Sequence, residues 1–229
     1  GDAINHIMED SHGNIWASSW KGGVTRYNGH RVTNFTQNDG LSSQLVYSVL
    51  QDQRGRFWFT TDRGVDYYED GQFHHIDNVK GLTGITIRDL EEDQQGQIWV
   101  GTYGNGLYRF DGQHWAHWNA ENSPLGNRIR ALLVDRTGRL WVVSNNGLGV
   151  WDGQRWSAYT DADGLETNDV IALVEDDNGH IWINYNYLFN GNISRFDGAT
   201  FTHYNSEKDG TINRNFISSF KDRDGQLWF

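Results

Sequence analysis

The chain has 229 residues, enough for one sizeable domain or two small ones. Lys+Arg 19 against Asp+Glu 30 leaves a net charge of −11, which argues against binding a nucleic-acid backbone or an anionic membrane surface. Cys 0 removes disulfides, thiolate metal sites and cysteine nucleophiles, and no stretch approaches the roughly 18 consecutive apolar residues of a transmembrane helix. Residue 1 is Gly and no signal peptide is visible, so the sequence reads as a processed or excised segment. Gly 27, 14% aromatic residues and a single Pro point to many short strands joined by tight turns.

In chain order, one motif recurs: Asp, two residues, Gly, one residue, an apolar residue, Trp. It reads Asp10, Gly13, Ile15, Trp16, then Asp52, Gly55, Phe57, Trp58, then Asp93, Gly96, Ile98, Trp99. Asp135, Gly138, Leu140, Trp141 follow, then Asp176, Gly179, Ile181, Trp182, and last Asp222, Gly225, Leu227, Trp228. The tryptophans are 42, 41, 42, 41 and 46 residues apart.

Each repeat resolves into four strand-like runs, A to D. In the copy from Ile129 they are Ile129 to Val134, Leu140 to Val143, Leu148 to Trp151 and Arg155 to Tyr159, with Asp152-Gly153 as the hairpin signal between C and D. Four short antiparallel strands in roughly 40–45 residues is the spacing of a β-propeller blade, and no 3.6-residue apolar stripe competes with it. Strand D carries anchors three apart, such as Val32/Phe35 and Trp156/Tyr159, which predicts a bulge or strand end between them. These anchors and the motif tryptophans read as packing between blades.

The fold expected is all-β, a β-propeller of five full repeats plus two strands, with repeats about 1–42, 43–83, 84–126, 127–167, 168–213 and a partial 214–229. Because the last copy stops inside strand B, the chain reads as part of a larger propeller; a five-bladed ring with two surplus strands is the alternative.

Ile98-Trp99-Val100-Gly101-Thr102, Gly104 and Gly106 to Gly112 resemble the two-component regulator propeller repeat, as do Asp163-Gly164-Leu165 to Asn168, Val170 to Asp176 and Ile181-Trp182. The resemblance covers essentially the whole chain. It implies the extracytoplasmic, periplasmic sensor region of a bacterial inner-membrane signalling protein, most often a hybrid histidine kinase or a diguanylate cyclase. Relatives in gut Bacteroidetes sense oligosaccharides. The expected partners are a small-molecule or oligosaccharide ligand and, in the full-length receptor, a second copy in a homodimer. No nucleic acid, no membrane insertion of this segment, no cofactor and no metal are expected.

In a propeller the loops entering strand A and those joining B to C crowd one face. Here they vary between repeats, whereas the other turns are stereotyped, and variable loops on a repeated scaffold carry binding. The candidate ligand-binding residues are Trp20, Lys21, Arg63, Arg88, Tyr103, Asn105, Arg128, Arg130, Asn145, Asn168, Tyr185, Tyr187 and Arg214. Aromatic rings stack on pyranose faces while amides and guanidinium groups bond hydroxyls; the arginines also suit a carboxylated sugar such as a uronic acid. His75, His117 and His203 share one repeat position and diverge in space, so they read as structural. Asp161, Asp163, Gly164 and Glu166 lack the ligand order of a calcium loop and read as a turn. No catalytic residue is assigned. A lyase or hydrolase resembling streptogramin lyase, with His6 as the base, and a protein-interaction scaffold are the alternatives.

Overall fold

The motif folds into the same corner in each copy, and its aspartate organises it. One Asp93 carboxylate oxygen accepts the backbone N–H groups of Gln95 at 3.0 Å and Gln97 at 2.9 Å, and the other accepts the indole N–H of Trp99 at 2.8 Å. Gly96 makes the turn at a φ of 74°, a left-handed conformation that only Gly adopts without strain. The Asp–indole bond recurs from Asp10 to Trp16, Asp52 to Trp58, Asp135 to Trp141, Asp176 to Trp182 and Asp222 to Trp228, at 2.7 to 2.9 Å. The fixed Asp-to-Trp spacing therefore has a cause beyond turn propensity: the carboxylate must reach both its own loop and the indole across the turn.

The computed structural model describes residues 3–186, 193–204, 219–222 and 224–228. They divide into two compact units, Gly1–His117 and Trp118–Phe229. The first unit holds three four-stranded sheets. Their strands are β1 (Ile4–Glu9), β2 (Ile15–Ser19), β3 (Val24–Tyr27) and β4 (Val32–Phe35); β5 (Val46–Gln51), β6 (Phe57–Thr61), β7 (Val65–Glu69) and β8 (Gln72–His75); and β9 (Ile87–Glu92), β10 (Ile98–Thr102), β11 (Leu107–Phe110) and β12 (Trp115–Trp118), whose last residue falls in the second unit. The second unit holds β13 (Ile129–Val134), β14 (Leu140–Ser144), β15 (Gly147–Trp151) and β16 (Trp156–Tyr159), then β17 (Val170–Glu175), β18 (Ile181–Tyr185), β19 (Ile193–Phe196) and β20 (Phe201–Tyr204). The pair β21 (Phe220–Lys221) and β22 (Leu227–Trp228) completes it. Within each sheet consecutive strands are neighbours, the up-and-down order of a propeller blade. Each unit builds its core between its own blades, around Trp16 and Trp58 in the first and Trp141 in the second. Burying a side chain such as Phe59 contributes about 1.5–3 kcal/mol.

The expectation of a bulge or strand end between the strand-D anchors holds in one blade alone: β8 ends at His75, between Phe73 and Ile76. In the other four blades the anchors are the first and last residues of a four-residue strand, and the C–D ladders of the first, second, fourth and fifth blades show no register shift. The anchors point to opposite faces: Val32 is 58% exposed, while Phe35 stacks on Trp16. The bulges lie instead in strand A, once per blade and at the same position. Ile4 and His6 pair with Ser19 and Ser18, leaving Asn5 unpaired. The same skip leaves out Tyr47, Arg88, Arg130 and Ile171. A bulge re-aims the side chain it carries, and here it does so at the end of the sheet where the variable loops lie.

Candidate functional site

In the first unit the bulged residues and the first residues of the B–C loops meet. The Trp20 N–H donates to the Ala3 carbonyl at 3.1 Å, and the Tyr103 N–H to the Thr86 carbonyl at 2.9 Å, so each loop starts tied to the residue before its own strand A. From there Trp20 meets the edge of Tyr47, with centroids 6.4 Å apart and planes at 72°. The Arg88 guanidinium lies 5.1 Å from the Tyr47 ring and 5.7 Å from that of Tyr103. Trp20, Tyr47, Arg88 and Tyr103 thus form one row across three blades. Trp20 is 50% and Tyr103 43% exposed. Cation–π contact fixes the guanidinium plane and leaves its N–H edges able to fork onto a carboxylate. Tyr47, absent from the candidate set, is the residue that joins Trp20 to Arg88; its signal was its place second in strand A, level with Arg88.

Asp62 opens the B–C loop of the middle blade, level in the repeat with Trp20 and Tyr103. One of its carboxylate oxygens is buried and accepts no hydrogen bond. A buried acceptor of this kind has room for a donor from outside the chain, a water or a ligand hydroxyl. Lys21 and Arg63 are exposed on the neighbouring loop positions. Asn105 belongs to the framework: its amide donates to the Gly81 carbonyl at 3.0 Å.

The second unit arranges the same repeat positions differently. The Arg130 guanidinium pairs with Asp169 and donates to the Val170 carbonyl at 3.0 Å, while the Asn186 amide donates to the other Asp169 oxygen at 2.8 Å. The Asn145 side chain accepts the backbone N–H of Arg128 at 3.0 Å, and that of Asn168 accepts the N–H of Asp161 at 2.9 Å. Arg128 is exposed beside this loop. Tyr185 corrects the sequence reading: its ring is 1% exposed inside the core, its hydroxyl accepts the Glu166 N–H at 3.2 Å, and burial raises its pKa. It faces packing partners and presents no surface to a ligand. Tyr187 and Arg214 lie outside the described residues.

The repeated histidines each bond within their own blade: His75 with Asp66 at 2.7 Å, His117 with the Asn105 carbonyl at 2.5 Å and His203 with Ser194 at 2.6 Å. Among the described residues no cluster of His, Asp and Glu could hold a metal ion. His6 lies in β1, where burial lowers its pKa and its Nδ1 faces the Val49 N–H at 3.4 Å. Asp161–Asp163 form a short 3-10 turn, with Asp163 accepting the Thr160 N–H and hydroxyl. No described helix is long and apolar enough to cross a membrane. One partly buried acid stands apart. Glu91 occupies the strand-A position held by Met8, Leu50, Leu133 and Val174 in the other blades, and burial, with Asp89 adding repulsion, raises its pKa to about 8.

Six Asp-to-Trp corners and meandering four-stranded sheets define a β-propeller protein. The two component regulator propeller model matches residues 40–63, 81–104, 123–146 and 164–187, each stretch running from the loop before strand A into the B–C loop. The chain thus carries four copies of that repeat. No curated protein matches it in sequence. Among solved structures it is similar to the extracellular domain of the hybrid two component system BT4673 from B. thetaiotaomicron, with 17% identity, a TM-score of 0.76 and coverage of 97% of this chain and 38% of that one. The corresponding domain of BT3049 from the same organism gives 20% identity and a TM-score of 0.58 over 99% of this chain and 37% of that one. Virginiamycin B lyase from Staphylococcus aureus gives 14% identity and a TM-score of 0.78 over 99% of this chain and 76% of that one. At these identities the likeness is one of fold, and the chain spans less than two-fifths of the two component system domains.

Proposed function

We propose that the chain is a ligand-sensing module of a signal-transduction protein, outside the cytoplasm, without catalysis of its own, and that it takes an oligosaccharide or similar small polar ligand. The observation that carries this reading is the exposed row Trp20–Tyr47–Arg88–Tyr103. The rings offer flat apolar surface for a pyranose, Arg88 offers a fork for a carboxylate, and the Asp62 oxygen offers an acceptor for a hydroxyl. The four matches to the two component regulator propeller repeat and the likeness to extracellular domains of two component systems support the sensor role and the location.

The test is calorimetric titration of the chain with neutral glucose oligomers and with oligogalacturonate. Binding of one of them is expected, weakened about tenfold by Trp20→Ala or Tyr103→Ala, the effect of losing one stacking contact of about 1.4 kcal/mol. Affinity unchanged in both variants removes the row from the site. Turnover of a bound ligand that vanishes in His6→Ala replaces the sensor reading with the lyase one.

A further inference from the structure

Beside the aromatic row the fold leaves two opposite charges unpaired. Asp62 opens the B–C loop of the second blade, at the repeat position that holds Trp20, Tyr103, Asn145 and Asn186 in the others. Its side chain is half-buried, one of its oxygens is fully buried, and no described residue donates to either. Asp66, in the next strand, is the contrast: it takes bonds from the Ser42 N–H and hydroxyl and from His75. Arg88 is exposed, and among the described residues its guanidinium meets the rings of Tyr47 and Tyr103 and no carboxylate. Arg130, at the same bulged position one blade on, forms an ion pair with Asp169.

The repeat places the two charges next to each other. Asp62 stands to Arg88 as Trp20 stands to Tyr47: the first opens the B–C loop of one blade, and the second is bulged from strand A of the next. Trp20 and Tyr47 meet edge to face. Opposite charges so placed ordinarily close on each other. Here Tyr47 and Tyr103 hold the guanidinium against their rings instead, and its N–H edges stay open.

A carboxylate and a guanidinium held apart suit a group that carries both charges itself. The guanidinium edge forks onto a carboxylate. A hydroxyl would give Asp62 one donor, whereas an ammonium offers up to three and cancels the charge that half-burial leaves uncompensated. In an α-amino acid a single carbon separates ammonium from carboxylate, which matches neighbouring side chains. A zwitterion, being neutral overall, also approaches a chain of net charge −11 without the repulsion that a uronate meets.

We propose that Asp62 and Arg88 form a subsite for a free α-amino acid, with the ammonium on Asp62, the carboxylate on Arg88 and the side chain against the neighbouring rings. This rests on the reading of this face as the ligand site, and it selects a zwitterion from the small polar ligands which that reading admits.

The 229-residue chain is screened against the protein L-amino acids by thermal shift. The strongest binder is then titrated calorimetrically beside its N-acetyl and carboxamide forms. At least one amino acid is expected to bind, and either blocking group is expected to weaken it about tenfold or more, the scale of losing one partner of a charge pair. In Asp62→Asn, acetylation is expected to cost less than about twofold, and in Arg88→Gln so is amidation. Neither side chain bonds to a described residue, so both unliganded variants are expected to melt with the parent. Blocking-group losses that persist undiminished in the variants overturn the proposal, and so does the absence of amino-acid binding. If a glucose oligomer or oligogalacturonate then binds in a way that depends on Trp20, the ligand-site reading stands without the zwitterion. If neither class binds, both readings fall.

Discussion

Arg88 and Tyr47 come from adjacent blades, and both are bulged out of strand A; the guanidinium sits 5.1 Å from the ring centroid. The bulge frees each side chain from the pleat, and the contact joins two blades at the end where the row lies. Tyr47 therefore acts as a positioning residue for Arg88. Tyr47→Phe is expected to retain affinity for a carboxylated ligand. Tyr47→Ala is expected to lose about 0.5–1 kcal/mol of it, the size of an exposed cation–π contact, while binding of a neutral ligand changes less. Parallel titrations with acidic and neutral oligosaccharides check this; an equal loss for both assigns Tyr47 to packing alone.

The Asp-to-Trp corner gives a stability prediction. Asp93 is 5% exposed and accepts three hydrogen bonds, from Gln95, Gln97 and Trp99. Removing it strands buried donors, each costing about 1–3 kcal/mol. Asp93→Ala is expected to lower the stability by about 3–5 kcal/mol in urea unfolding. Asp93→Asn retains an acceptor oxygen and is expected to cost less. Equal loss in the two variants places the effect in the charge rather than in the bonds.

The blades were legible in the sequence because their cause is local. The motif recurs in register, and Ile129 to Val134 in the sequence is the strand observed. The Asp–indole bond was not legible, since composition shows an Asp and a Trp at fixed spacing but not that they touch. The strand-A bulge was hidden for a similar reason: it is set by how B pairs with A, and the residues it expels are as unlike as Asn5, Tyr47, Arg88, Arg130 and Ile171. Of the candidate site, Trp20 and Tyr103 were singled out by loop position and Arg88 by its place near the start of strand A, and the structure brings them together through Tyr47. Tyr185 shared their chemistry but ends strand β18 inside the core. Chemistry alone does not distinguish an exposed aromatic from a buried one.

Acid unfolding follows from the same corners. Burial pushes the Asp176 carboxyl up, but bonds from the Trp182 indole, the His180 N–H and ring, and the Asn178 N–H outweigh it and hold the pKa at about 2. Asp10, Asp135 and Asp222 shift in the same direction. A carboxyl with a folded pKa below its ordinary 3.8 stabilises the fold above that value and loses the contribution as pH falls towards 2. Melting temperature is expected to drop through that window. Asp176→Asn is expected to melt lower at pH 7 and to lose less between pH 4 and 2. Parallel melting curves for variant and parent count against the role of Asp176.

Glu91 runs the opposite way. Its repeat equivalents Met8, Leu50, Leu133 and Val174 are apolar, and burial is the main cause of a folded pKa near 8 against an ordinary 4.5. Below pH 4.5 the carboxyl is protonated folded and unfolded alike, so it costs nothing through ionisation. Between 4.5 and 8 the unfolded chain ionises while the folded one keeps its proton, so stability falls as pH rises, and above 8 the penalty is constant. Each unit of such a shift corresponds to about 1.4 kcal/mol, so the penalty at pH 8 amounts to a few kcal/mol. Glu91→Leu restores the side-chain type of the other blades. It is expected to raise the urea midpoint at pH 8 well above that of the parent and to leave a much smaller difference at pH 4. A gain of equal size at both pH values makes the effect one of packing and removes the titration of Glu91 as its cause.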